Sequence, residues 1–166
     1  MLNQFLREIR DVEIQKDPLR FRRNIERIGE VMAIEVSKTL DYQPTEVQTP
    51  LAKATVNTIS DQLVLATILR AGMPLHQGFL QIFDRAENAF LSAYRRENGE
   101  GELEIVAEYM AAPAIEGKTL IVVDPMLATG TSLVLAYEAL IAKGGEPEHT
   151  HIASVIASEQ GVDYAM

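Results

Sequence analysis

Residues 121 to 133 read Ile-Val-Val-Asp-Pro-Met-Leu-Ala-Thr-Gly-Thr-Ser-Leu, a carboxylate followed by hydroxyls and backbone donors in close succession. Asp124 stands where an apolar strand runs out, so its carboxylate can accept hydrogen bonds from vicinal hydroxyls. Ala128 to Ser132 then offer consecutive N–H groups at a helix start, where unsatisfied donors and the helix dipole favour an anion. Thr129, Thr131 and Ser132 add hydroxyl donors, and Gly130 lets the backbone come close. One segment can thus hold both ends of a ribose 5-phosphate. The plainer alternative is an ordinary strand-to-helix connection with Thr and Ser as caps. Other phosphate loops fit badly: no Lys follows Gly130 until Lys143, and Gly130 has no neighbouring glycines for a dinucleotide fingerprint.

Two arginines could meet a second anionic group. Arg70 closes the run Ile68-Leu69-Arg70-Ala71-Gly72; its guanidinium can fork onto a diphosphate while Ala71 and Gly72 bring backbone donors to the same oxygens. An Arg that only caps a strand end is the alternative. Arg95 and Arg96 follow Tyr94, and in an extended segment neighbours point opposite ways, so one of the two can face a site. His76, on the helix after Gly72, could face a diphosphate but reads rather as a helix-surface or core-edge residue; His149 and His151 flank a strand start with no metal-ligand partner, and none of the three is assigned a role.

The elements that must position these groups alternate between strand and helix. Asp17-Pro18 reads as the cap and first residue of a long helix, with Phe21, Ile25, Ile28, Met32 and Val36 at helical spacing. Residues 41 to 50, with Pro44 and Pro50, read as an extended connection. Leu63 to Leu69 is a buried strand, and Pro74 to Phe83 a helix turning Leu75, Phe79, Leu80 and Phe83 inward. Ala89 to Tyr94 and Glu104 to Met110 are strands joined by the charged segment Arg95 to Gly101. Strand 119–123, helix 132–143, a Gly144-Gly145 stop and strand 150–157 follow. The pattern predicts one α/β domain over residues 1–166, a largely parallel sheet flanked by helices on both faces. Ligands of such sheets sit at the carboxyl ends of strands, where Arg70, Arg95 and Asp124 all fall.

Composition limits the possibilities. The chain has no cysteine, so disulfides and thiolate metal sites are excluded. No stretch reaches the roughly 18 apolar residues of a membrane span, and the polar N-terminus is no signal peptide, so the expected compartment is the cytoplasm with no membrane partner. A formal net charge of −9 argues against nucleic acid. It does not exclude a small anion, because such a field is screened beyond about 8–10 Å while a pocket is governed by its own donors.

Val122 to Gly130 resembles the 5-phosphoribosyl 1-diphosphate (PRPP) signature of type I phosphoribosyltransferases, and Asp124-Pro125-Met126-Leu127-Ala128-Thr129-Gly130 resembles the uracil phosphoribosyltransferases in particular. Most other branches carry two adjacent acids here, where this chain has Pro125; the uracil enzymes usually have a second Gly where it has Thr131. Ile68 to Gly72 is similar to the family's diphosphate loop, Tyr94-Arg95 to its Tyr-Arg pattern, and Val47 to Leu51 and Ser158 to Val162 to weaker segments. The resemblance implies a type I phosphoribosyltransferase fold and the conversion of uracil and PRPP to UMP and diphosphate. It places Arg70 and Arg95 on the diphosphate with Ala71 and Gly72, Asp124 on the ribose hydroxyls, and Ala128, Thr129, Gly130, Thr131 and Ser132 on the 5-phosphate, with Pro125, Met126 and Leu127 also against PRPP. It implies Mg²⁺ bound through the diphosphate, with no protein metal ligand, and a homodimer or higher homo-oligomer. It also implies a non-proline cis peptide to be sought at Arg70-Ala71, a cover or inter-subunit arm in the region after Arg95, although Glu97 to Gly101 themselves read as a plain surface hairpin turn, and a uracil-binding loop beyond Met166. A phosphoribosyltransferase for another base, or a non-catalytic PRPP or nucleotide sensor, are the alternatives.

Overall fold

The apolar runs singled out by sequence form the centre of a five-stranded sheet ordered β5-β4-β3-β6-β8. A computed structural model describes the backbone of residues 1–97 and 103–166, and the side chains of 1–92 and 109–166. Strands β3 (Leu63–Leu69) and β6 (Thr119–Val123) lie side by side in parallel, Leu63 opposite Thr119 and Thr67 opposite Val123. Both are covered on both faces, which is why they read as continuous rather than alternating apolar runs. Strands β4 (Glu87–Glu97) and β8 (His149–Ala153) extend the parallel set on either side. β5 (Leu103–Ala111) adds an antiparallel edge.

Two apolar layers follow from the alternation of side chains across the sheet. On one face Leu65, Ile121 and Val123 pack with Ile25, Ile28, Leu75 and Phe79 of the helices α2 (Pro18–Ser37) and α3 (Met73–Leu80). On the other, Val64, Ala66, Leu120 and Val122 meet Leu133, Ala136 and Leu140 of α4 (Thr131–Gly144). Asp17 caps α2 as its sequence demands, its carboxylate accepting from the N–H groups of Leu19 and Arg20 at 3.0 and 3.1 Å. Gly145, at φ 88°, ends α4.

Several expectations need correcting. An N-terminal helix, α1 (Leu2–Arg10), packs Leu2, Phe5, Leu6 and Ile9 onto the α2 face and was not read from the sequence. The supposed connection 41–50 is half of a hairpin, β1 (Tyr42–Gln48) against β2 (Lys53–Ile59). Pro44 is tolerated there because this two-stranded sheet has only edges, and its exposed faces lack the alternation that marks a strand. Strand β4 runs on into the charged segment Arg95 to Gly101, as far as Glu97, and β5 begins at Leu103. The surface turn expected at Glu97 to Gly101 falls largely on residues outside those described. Strand 150–157 divides into β8 and a short β9 (Ile156–Ala157), which pairs in parallel with β7 (Met126–Leu127). Phe21, expected in the core, is 36% exposed.

Candidate active site

Asp124 follows the last residue of β6, as the strand pattern requires, and the chain turns at once through β7 into α4. Its N–H donates to Ala153 O at 3.1 Å, so the acid is held to the neighbouring strand by backbone. Burial pushes the Asp124 carboxyl above its ordinary value, the Met126 N–H acting against this. A half-buried carboxylate at a strand end can accept from ribose hydroxyls with little competition from water.

The turn is built for an anion. Gly130 caps α4 at φ 78°, a left-handed conformation that other residues rarely adopt. Val134 N–H is the first to close back on Gly130 O, at 3.0 Å, which leaves Thr131, Ser132 and Leu133 N–H without intrahelical acceptors. The Thr129 and Thr131 hydroxyls lie 3.1 Å apart beside them. Asp124, Met126, Leu127, Ala128, Thr129, Gly130, Ser132 and Leu133 line one cleft of about 180 Å³. Leu127 is 6% exposed and gives the cleft its backbone rather than its side chain.

The cradle is held from behind by residues 153 to 161. Ile156 N–H donates to Pro125 O at 3.1 Å, Ser158 N–H to Leu127 O at 2.9 Å, and Leu127 N–H to the Ser154 hydroxyl at 3.1 Å. The Ser158 hydroxyl donates to Ala128 O and accepts from Gly161 N–H, capping α5 (Glu159–Ala165). These supporting serines were not read as site residues; the only sequence signal was the weak similarity over Ser158 to Val162.

Arg70 enters from the adjacent strand. The parallel register of β3 and β6 brings the loop after Leu69 beside Asp124 and Pro125. Gly72 is buried under this loop, where a Cβ would stand 2.1 Å from the Thr67 hydroxyl. Thr67 in turn donates to Val123 O at 3.4 Å, so the arginine loop and the acid share one buried support. The cis peptide lies at Leu69-Arg70, one bond before the expected Arg70-Ala71. Sequence marks the loop at the end of β3 but not the bond within it, and the cis bond sits where the strand ends.

Arg70, Ala71, Pro125 and Met126 line a second, largely apolar cleft of about 560 Å³ with Ile9, Phe21 and Ile25. Met126 borders both clefts. Arg70 makes no ion pair among the described residues. Arg22 of α2 lines the same cleft, a second guanidinium that its helical context hid among solvated charges. Arg95 has its backbone in β4, but its side chain lies outside the described residues. A cleft of about 510 Å³ at the opposite pole, between the base of the β1–β2 hairpin and the α3–β4 connection, contains none of the site residues.

Among the described residues no three His, Asp or Glu side chains are grouped to hold a metal ion, and no helix is long and apolar enough to cross a membrane.

A largely parallel sheet whose anion cradle follows β6, next to the central β3, has the architecture of the type I phosphoribosyltransferases. The solved structure of a purine phosphoribosyltransferase from Pyrococcus horikoshii shares this fold, with a TM-score of 0.53 and 16% identity over 58% of this chain and 63% of its own. The AQ2163 protein from Aquifex aeolicus overlays far better, with a TM-score of 0.80 and 26% identity over 98% of this chain and 74% of its own. The family model for uracil phosphoribosyltransferase matches residues 1–166. The uracil phosphoribosyltransferase of Porphyromonas gingivalis is 58% identical over 164 residues, covering 99% of this chain and 76% of that protein. The enzyme of that name from Methanothermobacter thermautotrophicus is 38% identical over 149 residues, covering 89% and 68% respectively. This chain belongs to the uracil phosphoribosyltransferase family.

Proposed function

We infer that this chain transfers the 5-phosphoribosyl group of PRPP to uracil, giving UMP and diphosphate. The observation that carries this reading is the single segment Asp124 to Ser132, which presents a carboxylate at one end and a helix start without a side-chain cap at the other. Asp124 fixes the ribose hydroxyls; the N–H groups and hydroxyls of residues 128 to 132 anchor the 5-phosphate. Arg70, with Ala71, Gly72 and Arg95, receives the departing diphosphate and stabilises the charge that develops as the bond at ribose C1 loosens. Little covalent help is required of the protein; geometry and electrostatics do the catalysis.

Mg²⁺ fits as a companion of the diphosphate. Asp124 is the one carboxylate lining the cradle, Pro125 offers no second, and hard oxygen ligands would come from the substrate and water. The apolar cleft beyond Met126 suits the flat pyrimidine. A homodimer or higher homo-oligomer in the cytoplasm completes the reading.

The test is conversion of labelled uracil with PRPP and Mg²⁺ by the purified protein. Stoichiometric UMP and diphosphate support the assignment. Equal turnover of hypoxanthine, or no transfer to any base, would reject it.

A further inference from the structure

The imidazole of His76 is 1% exposed, on the face of α3 that meets β4. Its Nε2 lies 2.7 Å from the Asn88 Oδ1, and its ring packs against Phe90 with centroids 5.1 Å apart. The tautomer follows from Asn88. That side chain's Nδ2 donates to Ala86 O at 3.2 Å, which turns Oδ1, a pure acceptor, toward the histidine. Nε2 is therefore the protonated nitrogen. Nδ1 is left as a buried acceptor with no hydrogen-bond partner, the one such side-chain atom among the described residues.

A merely space-filling role would be served better by phenylalanine, which stacks on Phe90 equally well and buries no unpaired nitrogen. What the imidazole adds is the bond to Asn88, the one side-chain hydrogen bond recorded between α3 and β4 among the described residues. Its position explains the use. His76 lies one turn after the diphosphate loop, and its own N–H donates to Gly72 O at 2.9 Å. Asn88 lies in β4, the strand that continues to Arg95 and pairs Ser92 with Leu69, the residue before Arg70.

We propose that His76 is a positioning residue for the diphosphate site: by donating to Asn88 it sets the start of α3, and with it Arg70, against the strand that carries Arg95. This rests on the assignment of Arg70 to the diphosphate. His76 touches no substrate. Its burial also holds the ring neutral, with the Asn88 bond acting against this, so it is a constant rather than a switch near neutral pH.

The experiment measures diphosphate and UMP binding by calorimetry, and thermal melting, for His76→Phe, Asn88→Ala, the double variant, His76→Gln and Arg70→Lys in the full chain. His76→Phe and Asn88→Ala should each weaken diphosphate roughly three- to tenfold, and the double variant no more than either alone. UMP affinity should stay at the wild-type value and the melting temperature of His76→Phe should not fall. Gln, whose amide nitrogen stands close to where Nε2 stood, should restore diphosphate binding. If Arg70→Lys loses diphosphate while His76→Phe keeps it, the positioning role is wrong and the Arg70 assignment stands. If neither loses it, both fall. If His76→Phe weakens both ligands, melts early or does not fold, the residue serves packing and the proposal is overturned.

Discussion

Gly130 and Gly161 meet backbone to backbone. A Cβ on Gly130 would stand 2.9 Å from Gly161 O, and one on Gly161 would stand 2.6 Å from Ala128 O. The turn before α4 is thus pressed against the first turn of α5, and neither side has room for a methyl group. Gly130→Ala meets both this contact and a left-handed backbone, which costs about 1–3 kcal/mol in a residue with a side chain. Gly161→Ala meets the contact alone. Denaturant unfolding with UMP titration should show both variants weaker for UMP, with Gly130→Ala the less stable. Full UMP affinity in Gly161→Ala would mean that the cradle does not need its backing.

Asp124→Asn should trade activity for stability. Charge-assisted hydrogen bonds to the ribose become neutral ones, so kcat/KM should fall by about ten- to a hundredfold, equivalent to about 1.5–3 kcal/mol. The folded carboxyl titrates above its ordinary 3.8, so its favourable contribution is full below that value and is lost as pH rises through the raised one. At neutral pH the buried charge therefore weakens the unliganded fold, and Asn should raise the melting temperature. The acid limb of the wild-type kcat/KM profile should also lie above that of an ordinary aspartate. Unchanged turnover in a folded Asp124→Asn protein would remove the residue from the site.

Replacing Arg70 or Arg95 by Lys keeps the charge but loses the planar fork. Each change should weaken PRPP and diphosphate while leaving UMP nearly untouched, because UMP lacks the group they grip. Separate calorimetric titrations of the three ligands decide this. Equal weakening for UMP would move the arginines to the 5-phosphate or to the fold.

Much of this site was legible because its chemistry is contiguous. Asp124 to Ser132 carries carboxylate, turn and helix start in one stretch, and strands β3 and β6 announced themselves as unbroken apolar runs with the residue bounds later observed. What stayed hidden depends on pairing at a distance. The β1–β2 hairpin shows no alternation because it has no buried face. Ser154 and Ser158 look like ordinary loop residues until parallel pairing of β7 with β9 sets them under the cradle. His76 read as a surface or core-edge residue because nothing local says that Asn88 faces it.

His76 also predicts how the fold meets acid. Its folded value lies below the ordinary 6.5, so its contribution is complete above that value and is lost as pH falls through the lowered one. Melting curves across this range should show His76→Phe losing less stability than the wild type. His151 is lowered as well, first by burial, and remains in both proteins, so the difference isolates His76. Parallel curves would show that His76 does not resist protonation.

If the segment Asp124 to Ser132 holds both ends of the ribose phosphate, a crystal structure with UMP bound will show it. The phosphate should lie within hydrogen-bond distance of the N–H groups of residues 129 to 132, and the ribose hydroxyls on the Asp124 carboxylate. A nucleotide phosphate seated on Arg70 instead, with the Ala128 to Ser132 turn empty, would contradict it.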